Sequence, residues 1–99
     1  MYITMTSSKG TPEQLHEAEE FLSGFLPRFK QQPGVRAIYH FNRPDKGDEL
    51  TIAVWENEDA VRAYRGSELI KEPIAFEKVH NMPTTREGYP LTFATSKEV

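Results

Sequence analysis

Two hydrophobic periods run along this chain, and one element cannot carry both. Between Thr11 and Phe29 apolar residues fall at Leu15, Ala18, Phe21, Leu22, Phe25, Leu26 and Phe29. That spacing is one wide stripe of a 3.6-residue helix, with Glu13, Glu17, Glu20 and Lys30 opposite and Glu17, Glu19 and Glu20 forming a solvated face. The start is well marked: Thr11 as N-cap, Pro12 at the first helical position and Gln14 three residues after the cap. Pro27 should kink the helix because the donor to the Ser23 carbonyl is missing, and Gln32-Pro33-Gly34 ends it. On either side the period drops to two. Tyr2 to Thr6 alternates, Val35, Ala37, Tyr39 and Phe41 alternate against Arg36, Ile38 and His40, and Leu50 to Trp55 follows a Pro44–Gly47 turn. Residues 35–55 therefore read as an antiparallel hairpin.

The remainder supplies a second helical layer and a last strand. Asn57 caps a helix that turns Ala60, Val61 and Tyr64 inward, and Gly66-Ser67 interrupts it. Glu68 to Val79 reads as a shorter helical segment, bent or broken at Pro73. Asn81 to Glu87 reads as a polar loop, Tyr89 to Ala94 as the fourth strand with Pro90 pushing it to an edge, and 95–99 as a flexible tail. The order is β-α-β-β-α-β: an α+β, ferredoxin-like domain spanning 1–99, with two helices on one face of a four-stranded antiparallel sheet. Either face of the first strand, Ile3/Met5 or Tyr2/Thr4/Thr6, could meet the helices. No segment is left to cover the other side of the sheet, so a second copy is expected there, making a homodimer.

Composition removes several kinds of chemistry. With no cysteine, a disulfide framework, a thiol nucleophile, an iron–sulfur cluster and a cysteine zinc site are excluded. Twelve Lys and Arg against fifteen Asp and Glu, a net charge of −3, do not make a nucleic-acid or anionic-membrane surface. No apolar run approaches the roughly 20 residues of a membrane span, so a cytoplasmic protein is expected. His16, His40 and His80 lack the i, i+4 pairing or neighbouring carboxylate pattern of a metal site. Aromatic residues are nevertheless 11% of the chain, enough to suggest a pocket or an interface as well as a core.

The β-α-β-β-α-β order, the Pro33-Gly34-Val35 lead-in to the second strand, the Ala53-Val54-Trp55-Glu56 end of the third, and the helix Ala60-Val61-Arg62-Ala63-Tyr64-Arg65-Gly66-Ser67 together resemble the antibiotic biosynthesis monooxygenase family over residues 1–93. The resemblance implies a dimeric α/β barrel, its two sheets packed face to face. It implies one of two activities: oxidation of phenols or quinols by molecular oxygen without metal or flavin, or heme binding and degradation. The heme-degrading members use an Asn, a Trp and a heme-ligating His, and the matching positions here are Ile3, Tyr64 and Ile74. Without a histidine at 74 the iron ligand is missing, so the oxygenase branch is the expectation, with no cofactor and no metal.

Candidate site residues follow from both lines. His40 is the best available proton acceptor, since its reference pKa lies near neutrality, although the sequence gives it no orienting partner. Tyr64 could hydrogen-bond a substrate oxygen, and Trp55, Phe21, Phe25 and Ile74 could hold a ring or hydrophobic ligand. A cleft of a few hundred Å³ with His40, Tyr64 or Tyr39 pointing into it would favour a monooxygenase acting on a small aromatic. A space filled by Phe21, Phe25 and Trp55 would favour the alternative, a non-catalytic dimeric module that binds a small ligand or regulates a partner.

Overall fold

Capping chemistry fixes the first helix at the residue expected. In the computed structural model, which describes residues 1–95, Thr11 Oγ1 accepts from the Gln14 backbone N–H at 3.2 Å and Gln14 Oε1 accepts from the Thr11 N–H at 2.8 Å. This reciprocal box satisfies two of the donors a helix start leaves free. Helix α1 then runs from Pro12 to Phe29. The helix continues through Pro27 as far as Phe29.

Strands β1 (Tyr2–Lys9), β2 (Val35–Arg43), β3 (Asp48–Trp55) and β4 (Thr84–Pro90) pair antiparallel in the order β2-β3-β1-β4. Helices α2 (Glu58–Arg65) and α3 (Lys71–Val79) complete the α+β, ferredoxin-like arrangement. Asn57 Oδ1 accepts from the Ala60 N–H at 2.9 Å, so α2 starts where its capping residue directs. Pro73 does not bend α3. It sits in the first turn, where a missing N–H costs little.

Three expectations change. The fourth strand is Thr84–Pro90, so the stretch read as a polar loop supplies most of it and Leu91 to Ala94 has no regular structure. Its polarity hid it: Thr84 and Arg86 face the helices although neither is apolar. Second, a register shift between Val35 and Ala37 breaks the alternation in β2. Val35 therefore packs with Trp55 in the core, while Ala37, Tyr39 and Phe41 lie on the opposite face. Third, the expected tail at 95–99 lies outside the described residues except for Thr95, which has no regular structure.

The sheet's inner face is Tyr2, Thr4, Thr6 and Ser8 on β1 with Glu49, Thr51, Ala53 and Trp55 on β3. Phe25, Phe29, Ala53, Trp55 and Val61 form the main core, and Leu15, Ala18 and Met82 a second one. Trp55 is 1% exposed and donates from Nε1 to Thr4 Oγ1 at 2.9 Å, so the largest buried side chain leaves no polar atom unpaired. The outer face carries Ile3, Met5, Ile52 and Val54 beside Tyr39, Phe41 and Tyr89, and the last three are 63%, 45% and 45% exposed. None of the helices among the described residues is long and apolar enough to cross a membrane.

Candidate active site

Between the inner face of the sheet and the three helices lies a cavity of about 80 Å³, open on one side. Its roof is aromatic. Phe21 stacks on Phe76 at 4.7 Å between ring centroids and on Phe25 at 5.5 Å, and Phe29 meets Tyr64 at 4.7 Å. Phe21, Phe25 and Phe29 come from successive turns of α1, so the helical stripe that built the core also built most of the roof, and Phe76 joins it from α3. The floor is polar: Thr4, Thr6, Ser8 and Thr51 line it with Glu49. An aromatic roof over a hydroxyl floor suits a flat ring with oxygen substituents on one side.

Phe21, Phe25, Trp55 and Tyr64 all line this cavity without filling it. Its volume is below the roughly 300–1,000 Å³ of drug-sized sites, which restricts it to small occupants. Burial pushes the Tyr64 phenol up to about 12, despite the opposing charge of Arg86. Tyr64 therefore stays protonated at neutral pH and can donate a hydrogen bond into the cavity, but it is a poor base. Ile74 is placed elsewhere, in a shallow outer groove with Lys78, Asn81 and Pro83. Tyr39 lies on the far side of the sheet.

His40 faces the helices from β2 but stands behind the cavity lining. Its Nδ1 is 2.8 Å from Thr51 Oγ1, and its Nε2 is 2.6 Å from Glu19 Oε1 on α1. So His40 does have an orienting partner on each nitrogen, and Glu19 belongs to a side chain pair across the α1–sheet seam. The other two histidines also meet carboxylates: His80 Nε2 lies 2.9 Å from Glu17, and His16 pairs with Glu20 at 3.2 Å. Sequence spacing could not reveal the first two pairs, since they join residues 21 and 63 positions apart in different elements.

Glu49 is the residue that sequence reasoning missed. It is 9% exposed, lines the cavity, and its Oε2 lies 3.9 Å from His40 Nε2 without a hydrogen-bond partner. Desolvation raises its carboxyl to about 7; Glu19 and Glu77 add to this and His40 opposes it. The signal was present: residues 49, 51, 53 and 55 share one strand face, so the period that buries Trp55 buries Glu49 too. Nearby, Arg86 and Glu77 form a two-point ion pair, 2.9 and 2.5 Å, at the cavity's edge. Among the described residues, Glu19, His40 and Glu49 are the group whose donor atoms, all within 4.8 Å of one another, could share a metal ion.

Comparison with known proteins adds a family. The sequence profile described as "Antibiotic biosynthesis monooxygenase" matches residues 1–75. No curated protein matches the chain. Among solved structures, a protein from Deinococcus radiodurans superposes with a TM-score of 0.87 at 16% identity, covering 100% of both chains. SnoaB, a cofactor-independent oxygenase from Streptomyces nogalater, gives 0.71 at 16% identity over 97% of each chain. The monooxygenase ActVA-Orf6 of Streptomyces coelicolor, solved with Nanaomycin D, gives 0.75 at 16% identity over 98% of this chain and 92% of that one. At these identities the likeness is one of fold.

Proposed function

This chain belongs to the antibiotic biosynthesis monooxygenase family, and from that premise we propose that it oxidises a small aromatic of quinol or phenol type with molecular oxygen, without a cofactor. The observation that carries the reading is the cavity itself: a phenylalanine roof, a hydroxyl floor and a phenol, Tyr64, held in its donor form. In a monooxygenation one oxygen atom enters the substrate and the other leaves as water. An electron-rich substrate can supply the electrons, which leaves binding, orientation and proton movement to the protein. Phe21, Phe25 and Trp55 hold the ring, Tyr64 donates to a substrate oxygen, and His40 is joined to the cavity lining through Thr51 as a proton acceptor. The small volume favours a single ring.

The setting we propose is a cytoplasmic homodimer, in which a second copy covers Tyr39, Phe41, Ile52, Val54 and their neighbours on the outer sheet face. A purified-protein assay with a panel of hydroquinones under oxygen tests the activity. Oxygen uptake above the autoxidation rate supports it, and none with any member of the panel contradicts it. The cavity's size favours a second reading, a non-catalytic module that holds a small ligand. Native mass spectrometry finding a retained ligand, in protein that consumes no oxygen, would select that one.

A further inference from the structure

Helix α1, strand β2 and strand β3 each send one metal-ligating side chain to the same seam. Glu19, His40 and Glu49 offer one ligand atom apiece, and the three atoms lie within 4.8 Å of one another. His40 Nε2 is 2.6 Å from Glu19 Oε1 and 3.9 Å from Glu49 Oε2. In a tetrahedral site with bonds of about 2.0–2.2 Å, ligand atoms stand roughly 3.3–3.5 Å apart. The two distances bracket that spacing, and side-chain shifts of about 1 Å reach it. Glu19, with its side chain 43% exposed, has room to move and gives an ion a way in from solvent.

A second observation says that positive charge is missing here. Glu49 is 9% exposed, yet its Oε2 has no hydrogen-bond partner. Arg86, which lines the same cavity, is held by Glu77 at 2.9 and 2.5 Å instead. Asn42 Oδ1 is another buried acceptor without a donor. Asn42 lies opposite Glu49 in the β2–β3 register and on the same face of β2 as His40. Its Nδ2 donates to the Leu15 carbonyl at 3.1 Å, which fixes its oxygen as the free end. Unpaired buried acceptors beside two carboxylates are costly unless a cation joins them. The ring is also set to ligate. Thr51 Oγ1 is 2.8 Å from His40 Nδ1, and a hydroxyl can accept as well as donate. Nδ1 can therefore carry the ring hydrogen and leave the Nε2 lone pair to the carboxylate side, the orientation that metal-ligating histidines need.

We propose that Glu19 Oε1, His40 Nε2 and Glu49 Oε2 bind one Zn²⁺ ion, which ties α1 to the sheet beside the cavity. Two carboxylates balance the charge of a dication. The imidazole favours Zn²⁺ over Mg²⁺ and Ca²⁺, and the lack of a thiolate disfavours softer ions. A water on the ion would supply the hydrogen that Asn42 Oδ1 lacks. Spacing along the chain does not show this site, because its ligands come from three elements. The site is independent of the activity proposed for the cavity. It does divide the states of His40: with Nε2 on the ion, Nδ1 keeps its hydrogen, so the ring accepts a proton through Thr51 only in the ion-free chain.

Zn²⁺ titrated calorimetrically into full-length protein, stripped with EDTA and dialysed to about pH 7.5, tests the site. One equivalent per chain should bind with a Kd of about 10 μM or tighter. Free Zn²⁺ at about 100 times Kd should raise the melting temperature by roughly 10 °C. Glu19→Gln, His40→Gln and Glu49→Gln should each weaken binding about 100-fold or more, and Thr51→Val, which removes only the ring's orienting partner, about tenfold. Circular dichroism checks the fold of each variant. Glu19→Gln alters a half-exposed side chain, so it keeps the test open should burial make Glu49→Gln unstable. His16 with Glu20 and His80 with Glu17 are pairs of one ring and one carboxylate. His16→Gln and His80→Gln should therefore bind as wild type does. A wild-type Kd weaker than about 10 μM overturns the proposal, leaving the seam to hydrogen bonds and a protonated Glu49. Wild-type affinity in any folded variant of the three ligands, or binding lost in His16→Gln or His80→Gln, also overturns it.

Discussion

Glu49 and Tyr64 are opposite outcomes of the same burial. Desolvation favours the neutral form of each: the phenol keeps its proton and becomes a dependable donor, while the carboxyl is brought into the range where it exchanges one. Tyr64→Phe keeps the ring and removes the donor. Binding of an aromatic should persist, while turnover falls about 100-fold, the usual scale for losing one donor to a developing oxyanion. A KM near wild type with depressed kcat would confirm that split; unchanged kcat would remove Tyr64 from the chemistry. For Glu49 the sign runs against the common carboxylate case. Its folded value, about 7, lies above the ordinary glutamate value of 4.5, so the folded state binds more protons between the two. Its contribution is fully present below about 4.5 and is lost as pH rises through about 7. Urea melts of metal-free protein should therefore lose about 3 kcal/mol between pH 4.5 and 8 from this group, and Glu49→Gln should flatten that slope. A wild-type slope retained in Glu49→Gln would place the titration elsewhere.

The elements divide according to how much of their reason is local. The start of helix α1 was legible to the residue and its buried face from the stripe, because the Thr11–Gln14 box and the seven-residue stripe are sequence-local facts; its end at Phe29, short of Gln32-Pro33-Gly34, was not. Strand β4 was not, because it pairs only with β1 and its inward residues, Thr84 and Arg86, are satisfied by Ser8 and Glu77 rather than by burial of apolar surface. The bulge in β2 was equally hidden, being imposed by pairing with Trp55 across the sheet. The site fared likewise: the α1 phenylalanines of its roof and the inward face of Glu49 were readable from local periods, whereas the His40–Glu19 pair depends on how α1 crosses β2. Gly34 marks one such junction. It has φ of +88°, and an added Cβ would lie 2.5 Å from the Ala60 Cβ at the start of α2. Gly34→Ala should cost roughly 1–3 kcal/mol for the left-handed backbone, with the contact adding to it. A thermal melt unchanged from wild type would contradict that placement. Thr11→Ala, by contrast, should cost only about 1 kcal/mol, the ordinary value of a cap.

At the scale of the molecule the aromatic side chains serve three surfaces. Phe25, Phe29 and Trp55 form a core, Phe21, Phe76 and Tyr64 roof a cavity, and Tyr39, Phe41 and Tyr89 stand on a sheet face that the described residues leave open. The proposed homodimer would cover that face, since a second copy supplies the same face by symmetry. Sedimentation should give a dimer at micromolar concentration, and Tyr39→Lys with Phe41→Glu should shift it to monomer without lowering the helix content. A monomeric wild type would leave the face unexplained. The central claim, however, concerns the cavity rather than the dimer, and oxygen uptake is its most direct measurement. With single-ring hydroquinones the wild-type protein should consume oxygen faster than autoxidation, and Tyr64→Phe should fall about 100-fold toward that background. Uptake that never exceeds the background, or that is the same in wild type and Tyr64→Phe, would contradict it.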